Sequence, residues 1–238
     1  MRRVLPAPTA DGQAEDLTEE ELRACYAFPA ERPWVRANMV STFDGVMRGR
    51  DGRSTSISSS ADRRVFAVAR LAADVVLVGA GTLRAEDYRP SRRPIAIVSA
   101  RLDLPLSLRL FAERDVDTPR PIVFTTVRSA ATAPDALSRL ADVVPCGVEH
   151  VDLAGAVGEL NDRGLGRILC EGGPSLLSAL AADGLLDELL LTVSPVLLGG
   201  GPAEHILDVR GGLDPALRLH PVEVLEEDGS VFLRARRG

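Results

Sequence analysis

Lysine is absent from this 238-residue chain, and all 28 of its basic residues are arginine. With the heavy alanine content, this matches a GC-rich coding bias rather than a functional choice. The 34 acidic residues outnumber the arginines and leave a formal net charge of -6, which argues against a general polyanion-binding surface. A phosphorylated ligand would have to be held by local groups. Aromatic residues make up only 4% of the chain and hydrophobic ones 45%, so the core must be aliphatic. No apolar run approaches the ~18 residues of a membrane span, and "MRRVLPAPTADG" lacks the apolar segment of a secretion signal. The expected location is the cytoplasm, with no membrane or nucleic-acid partner. Cys25, Cys146 and Cys170 are odd in number, far apart and outside any CxxC or Cys/His cluster, so they read as reduced thiols and no metal is expected. Neither a Walker A pattern nor a GxSxG elbow occurs.

What is present is alternation. Residues 1–16, rich in proline, alanine and acid, read as a loosely held leader. "LTEEELRACYAF" then carries a helix start, with Thr18 as N-cap, Glu21 three residues on and Leu17 facing Leu22 as a staple. That helix should pack on the main body through Leu22, Cys25 and Tyr26. From Trp34 onward, strands are expected at "WVRANMV", "DVVLVG", "PIAIVSA", "PIVFTT", "DVVPC", "RILCE" and "DELLLTV". Helical patterns fall between them at 61–72, around 134–141, at 152–163 and at 174–183. Such alternation requires crossover connections, hence an α/β fold with a mostly parallel central sheet flanked by helices. In "RLHPVEVLEEDGSVFLRAR" two strands meet at Asp228-Gly229, a C-terminal antiparallel hairpin. The expected division is a leader and helix over 1–32 packing on one domain over 33–238.

Two strand-to-helix junctions stand out. In "RILCEGGPSLLSALAADG" a buried strand ends at Glu171, Gly172 and Gly173 relax the backbone, Pro174 suits a first helical turn, and Gly184 suits the end of that helix. In "DVVLVGAGTLRAEDYRP" a second strand runs into Gly79, Gly81 and Thr82. Each satisfies either a structural turn or a phosphate cradle, because free N–H groups and a positive helix end admit an anion. Two such junctions in one sheet favour the cradle, since ligands in open α/β sheets sit at the carboxyl ends of strands. Ser99 and Arg101 follow the next strand and could bind a ribose 2′-phosphate, which would favour NADP over NAD. A third segment, "VRANMVSTFDGVMRGRDGRSTSISSSADRR", delivers Ala37, Asn38 and Met39, then Ser41, Asp44 and Gly45 in a turn. Ser60 is expected to cap the helix that follows.

Together, "ANMVSTFDGVM", "ISSSADRRVFAVARLAADVVLVGAGT", "IVSARLDLP" and "ILCEGGPSLLSALAADGLLDELLLTVSPVLLGGG" resemble the riboflavin-biosynthesis pyrimidine reductase family, whose fold is similar to dihydrofolate reductase. The resemblance spans roughly residues 33 to 236. It implies NADPH-dependent hydride transfer to a ribosylamino pyrimidine, and a homodimer. It assigns Gly79, Gly81, Thr82, Ser99, Arg101, Gly172, Gly173, Pro174, Ser175 and Leu176 to the cofactor, with Ala37 and Val46 flanking the nicotinamide. Asn38, Ser41, Asp87 and Arg89 fall on the substrate side, and Asp44 and Glu171 are the candidate catalytic carboxylates. The cytidine-deaminase-like motif HxE with a downstream PCxxC is missing, so the preceding zinc-dependent step is not expected. Where the family continues with acidic residues, proline and Leu-Thr-x-Arg, this chain reads "LRAEDYRPSRR": Tyr88 replaces the proline, and Arg89, Arg92 and Arg93 are the available phosphate ligands. The alternatives are a dihydrofolate or pterin reductase, and a nucleotide-binding protein without turnover.

Overall fold

The computed structural model of the chain describes residues 1–5, 16–199, 205–207 and 212–238. In chain order the elements are β1 (Arg2–Leu5), α1 (Glu19–Cys25), β2 (Trp34–Thr42), α2 (Ser60–Ala72), β3 (Val75–Gly79), α3 (Ala80–Glu86) and β4 (Ile95–Val98). There follow α4 (Arg109–Ala112), β5 (Ile122–Thr125), α5 (Val127–Ala131), α6 (Asp135–Leu140), β6 (Asp142–Pro145), α7 (Leu153–Asp162), β7 (Arg167–Cys170) and α8 (Pro174–Ala182). The chain closes with β8 (Glu188–Ser194), β9 (Leu219–Glu227) and β10 (Ser230–Arg237).

One sheet holds all these strands in the order β1-β9-β10-β8-β2-β7-β3-β4-β5-β6. Pairing is parallel from β8 through β6 and antiparallel among β1, β9, β10 and β8. Alternate residues of one strand feed opposite faces, as the period of two requires. Val75 and Leu77 pack with Val157 and Leu160 of α7 and with Leu177 and Leu180 of α8, whereas Val76 and Val78 pack with Leu83, Phe111 and Leu137. A third cluster joins Leu22, Cys25 and Tyr26 to Val65, Val68 and Ala69 of α2, as expected of the first helix. Thr18 and Glu21 form the full capping box, and the Asp228-Gly229 turn has positive φ at both residues, which a tight hairpin needs.

The leader differs from expectation at residues 2–5, which form a strand on the open edge of β9. Register pairs Arg2 with Glu226 and Arg3 with Leu225, and the ion pairs Arg2–Glu226 (2.9 Å) and Arg3–Glu223 (3.1 Å) reinforce it. An unpaired sheet edge recruits backbone whatever its composition; the rest of the expected leader, 6–15, lies outside the described residues. The N-cap of α2 is Ser59 rather than Ser60: the Ser59 hydroxyl accepts the Asp62 N–H at 3.1 Å. The short helices α3, α4 and α5 leave no periodic pattern in the sequence, because four to seven residues span barely two turns.

Candidate active site

At the carboxyl ends of β2, β7, β3 and β4 the sheet supports two cavities. The larger, about 1100 Å³, is built from the two glycine junctions: Gly79, Gly81 and Thr82 on one side, Gly173, Pro174, Ser175 and Leu176 on the other. The Gly79 N–H donates to the Gly172 carbonyl at 2.8 Å, which ties the junctions to each other. Gly172 has φ +88°, and the Gly172–Gly173 peptide is cis. Helices α3 and α8 start from Gly79 and Gly173 with no side-chain cap, so their first N–H groups are available to an anion. Ser99 and Arg101, from the end of β4, line the same cavity.

The second cavity, about 560 Å³, is walled by β2, α2, the segment 86–91 and Glu171. Its Glu171 carboxylate is only 3% exposed, and both of its oxygens accept hydrogen bonds. Arg70 donates through Nε and Nη2, each at 2.6 Å, and the Tyr88 hydroxyl donates at 2.8 Å. The Arg70 guanidinium also lies over the rings of Phe66 (4.4 Å) and Tyr88 (5.3 Å). Burial acts to lower the Arg70 pKa, but the hydrogen bonds and charge of Glu171 outweigh it and raise the value. Burial first, and the Glu171 charge second, push the Tyr88 phenol well above its usual range, so it remains a hydrogen-bond donor. The other carboxylates of this cavity are engaged too: Asp62 by the Ser58 hydroxyl (2.5 Å), Glu86 by the Ser54 N–H and hydroxyl (3.1 and 3.0 Å), and Asp87 by the Arg109 N–H (3.1 Å).

Most of the residues expected from sequence converge here. Gly79, Gly81, Thr82, Ser99, Arg101, Gly173, Pro174, Ser175 and Leu176 line the larger cavity, and Asn38, Asp87, Arg89 and Glu171 line the smaller one. Five do not line either. Ala37 is fully buried among core residues on the β2 face toward α7 and α8, Ser41 is buried, and Gly172 contributes through its carbonyl. Val46 and Asp44 belong to the turn after β2. Asp44 accepts from the Thr42 hydroxyl (2.5 Å) and from the N–H groups of Leu198 (3.1 Å) and Gly199 (2.6 Å). The Thr42 bond, followed by the Gly199 N–H, holds its pKa below the usual carboxylate value. Asp44 thus fastens the loop that follows β8.

Of the arginines after "AED", Arg89 alone reaches the cavity. Arg92 is exposed, and Arg93 donates to the Leu71 carbonyl at 2.7 Å. Sequence reasoning did not find Arg48, Arg70 or Arg109. The Phe66/Arg70 pair at i, i+4 on α2 was a weak signal for one of them; the other two occupy a loop and a one-turn helix without local pattern. His150 and His205, for which nothing in the sequence suggests a site, line the larger cavity. The cysteines are free thiols. No helix among the described residues is long and apolar enough to cross a membrane, and no cluster of potential metal ligands occurs among them.

A mostly parallel sheet with paired cavities at its carboxyl ends defines an α/β protein whose candidate site lies where ligands of open α/β sheets bind. The chain belongs to the RibD C-terminal domain family, whose model matches residues 33–231. It is 26% identical over 223 residues to the 2,5-diamino-6-ribosylamino-4(3H)-pyrimidinone 5′-phosphate reductase of Archaeoglobus fulgidus, covering 87% of this chain and 100% of the relative. Identity to the protein of the same name from Methanothermobacter thermautotrophicus is 29% over 191 residues, covering 76% and 86%. The fold is shared with a crystal structure of a pyrimidine reductase-like protein from Corynebacterium diphtheriae, with a TM-score of 0.76, 21% identity and coverage of 93% and 99%.

Proposed function

We propose that this chain is an NADPH-dependent reductase acting on a phosphorylated ribosylamino-pyrimidine, the substrate class in the names of its archaeal relatives. The observation that carries the reading is that a glycine-lined cavity with two uncapped helix starts meets a second, polar cavity at the strand ends. The fit to a dinucleotide is supported by the Thr82 hydroxyl, which is buried without a hydrogen-bond partner, and by Gly81, where a Cβ would meet nothing within 4 Å. Both features suit a ligand pressed against the backbone. Ser99 and Arg101 are the groups for a ribose 2′-phosphate, which selects NADPH over NADH. When bound, the reduced nicotinamide supplies the hydride.

The protein's own share is positioning. Glu171, clamped by Arg70 and Tyr88, acts as a fixed acceptor for substrate N–H groups, and the Asn38 amide offers both a donor and an acceptor. Acting as a proton donor would require Glu171 to give up its Arg70 pair, so orientation of the substrate is its role. Arg89 and Arg109 share the single carboxylate of Glu113 (3.8 and 2.9 Å) and line the smaller cavity, where their excess positive charge favours the substrate's phosphate. Asp44 acts indirectly, through the loop it holds. A homodimer is supported by Phe43 and Leu197, apolar side chains 58% and 74% exposed on two segments joined by the Phe43 N–H to Val196 carbonyl bond.

The test follows the reduced-nicotinamide absorbance on mixing protein and NADPH with the ribosylaminopyrimidinone phosphate or, in parallel, with dihydrofolate. Oxidation with the pyrimidine alone is expected. Turnover with dihydrofolate instead, or with neither, would overturn the assignment. Light scattering that returns the mass of one chain would remove the dimer.

A further inference from the structure

Among the described residues, three line both cavities: Arg48, Thr82 and Gly173. Whatever spans from one cavity into the other must pass them. All three converge on one point, because a Cβ built on Gly173 would lie 2.8 Å from Thr82 Oγ1 and 3.9 Å from Arg48 Nη2. Gly173 is also the N-cap of the nine-residue α8, with Pro174 at its first turn and no side-chain cap. Thr82 is 8% exposed, and its hydroxyl is the one buried hydroxyl among the described residues with no hydrogen-bond partner. A guanidinium, an unpaired hydroxyl and a helix start thus surround the passage, and each favours an anion. None of the three residues is acidic.

We infer that Arg48 is a cofactor-positioning residue that closes over the diphosphate of the dinucleotide where it enters the passage. This rests on the NADPH reading above. Arg48 stands in the loop after β2, whose turns are held by Gly49 N–H to Arg53 carbonyl and Gly52 N–H to Gly49 carbonyl bonds (both 3.0 Å), and the neighbouring Met47 is buried against β2, so the backbone of Arg48 is anchored. Its job is to fix the cofactor's middle, so that the reduced ring projects toward the Glu171 cavity.

The experiment measures binding by calorimetry to unaltered protein, Arg48→Met and Arg48→Lys, with NADPH and with adenosine 2′,5′-bisphosphate, which lacks the diphosphate bridge. Loss of one charge-assisted contact should weaken NADPH binding by about tenfold or more in Arg48→Met. Adenosine 2′,5′-bisphosphate should bind all three proteins alike, and Arg48→Lys should recover part of the NADPH affinity. Unchanged NADPH affinity in Arg48→Met overturns the inference, as does an equal loss for both ligands, which would mean a damaged groove. A raised KM for the pyrimidine with unaltered NADPH affinity assigns Arg48 to the substrate instead and also overturns it. Failure of the unaltered protein to bind NADPH at all defeats the parent reading.

Discussion

Replacing Gly81 with alanine separates a glycine kept for folding from one kept for a ligand. Gly81 lies in the first turn of α3, its φ is not positive, and a Cβ there would meet no atom within 4 Å. Alanine is the better helix former by up to about 1 kcal/mol, so the ligand-free protein should be unharmed or slightly stabilised. For a chain of this size that corresponds to a rise in Tm of up to roughly 2–4 °C. If the cofactor lies against this turn, the same methyl group occupies its space, and NADPH affinity should fall by about tenfold, or ~1.4 kcal/mol. Gly172→Ala provides the contrast. Its φ of +88° strains any side chain, and its Cβ would press on Met39 Cε at 3.4 Å. That variant should lose about 1–3 kcal/mol of stability even without ligand. The assays are thermal denaturation of the ligand-free proteins and direct titration with NADPH. Should Gly81→Ala bind NADPH as tightly as the unaltered protein, the cradle argument is wrong at this junction.

Three more outcomes follow from the same geometry. Tyr88→Phe removes one of the hydrogen bonds to Glu171, and since bonds to charged groups contribute about 1.5–3 kcal/mol, KM for the pyrimidine should rise about tenfold while NADPH affinity holds; an unchanged KM would show that Tyr88 does not position Glu171. Because the folded-state pKa of Asp44 is depressed, its stabilising contribution is present above the ordinary carboxylate pKa, near 3.8, and lost as pH falls through the folded value. The Tm gap between unaltered protein and Asp44→Asn should therefore be full at about pH 5–7 and close below about pH 4; a gap that widens on acidification contradicts the assignment. Burial pushes the thiols of Cys25 and Cys170 up to about 11 and about 12, whereas Cys146 is partly accessible. One thiol should react with a disulfide reagent in the native protein and three after denaturation; a second fast thiol would contradict the burial.

Much of this protein is written in local chemistry. Capping residues, turn dipeptides and the two- and 3.6-residue periods act over a few neighbours, so the Thr18/Glu21 capping box, the Asp228-Gly229 hairpin and the parallel strands from Trp34 onward can be named from sequence. The glycine junctions are legible for the same reason: Gly172, Gly173 and Pro174 state their backbone requirements locally.

Other features depend on what lies opposite in space. Residues 2–5 become a strand only because β9, at the far end of the chain, leaves an edge open. Asp44, which sequence offers as a pocket carboxylate, is claimed by backbone N–H groups more than 150 residues away. Arg70 and Tyr88 meet at Glu171 because α2 and the segment after α3 pack against the end of β7. Sequence by itself determined the α/β alternation and the two glycine-bearing strand-to-helix turns, since each is written in contiguous residues. Tertiary packing alone decided which charges face the cavities, because an ionisable side chain takes its partner from whatever the fold brings within hydrogen-bond reach.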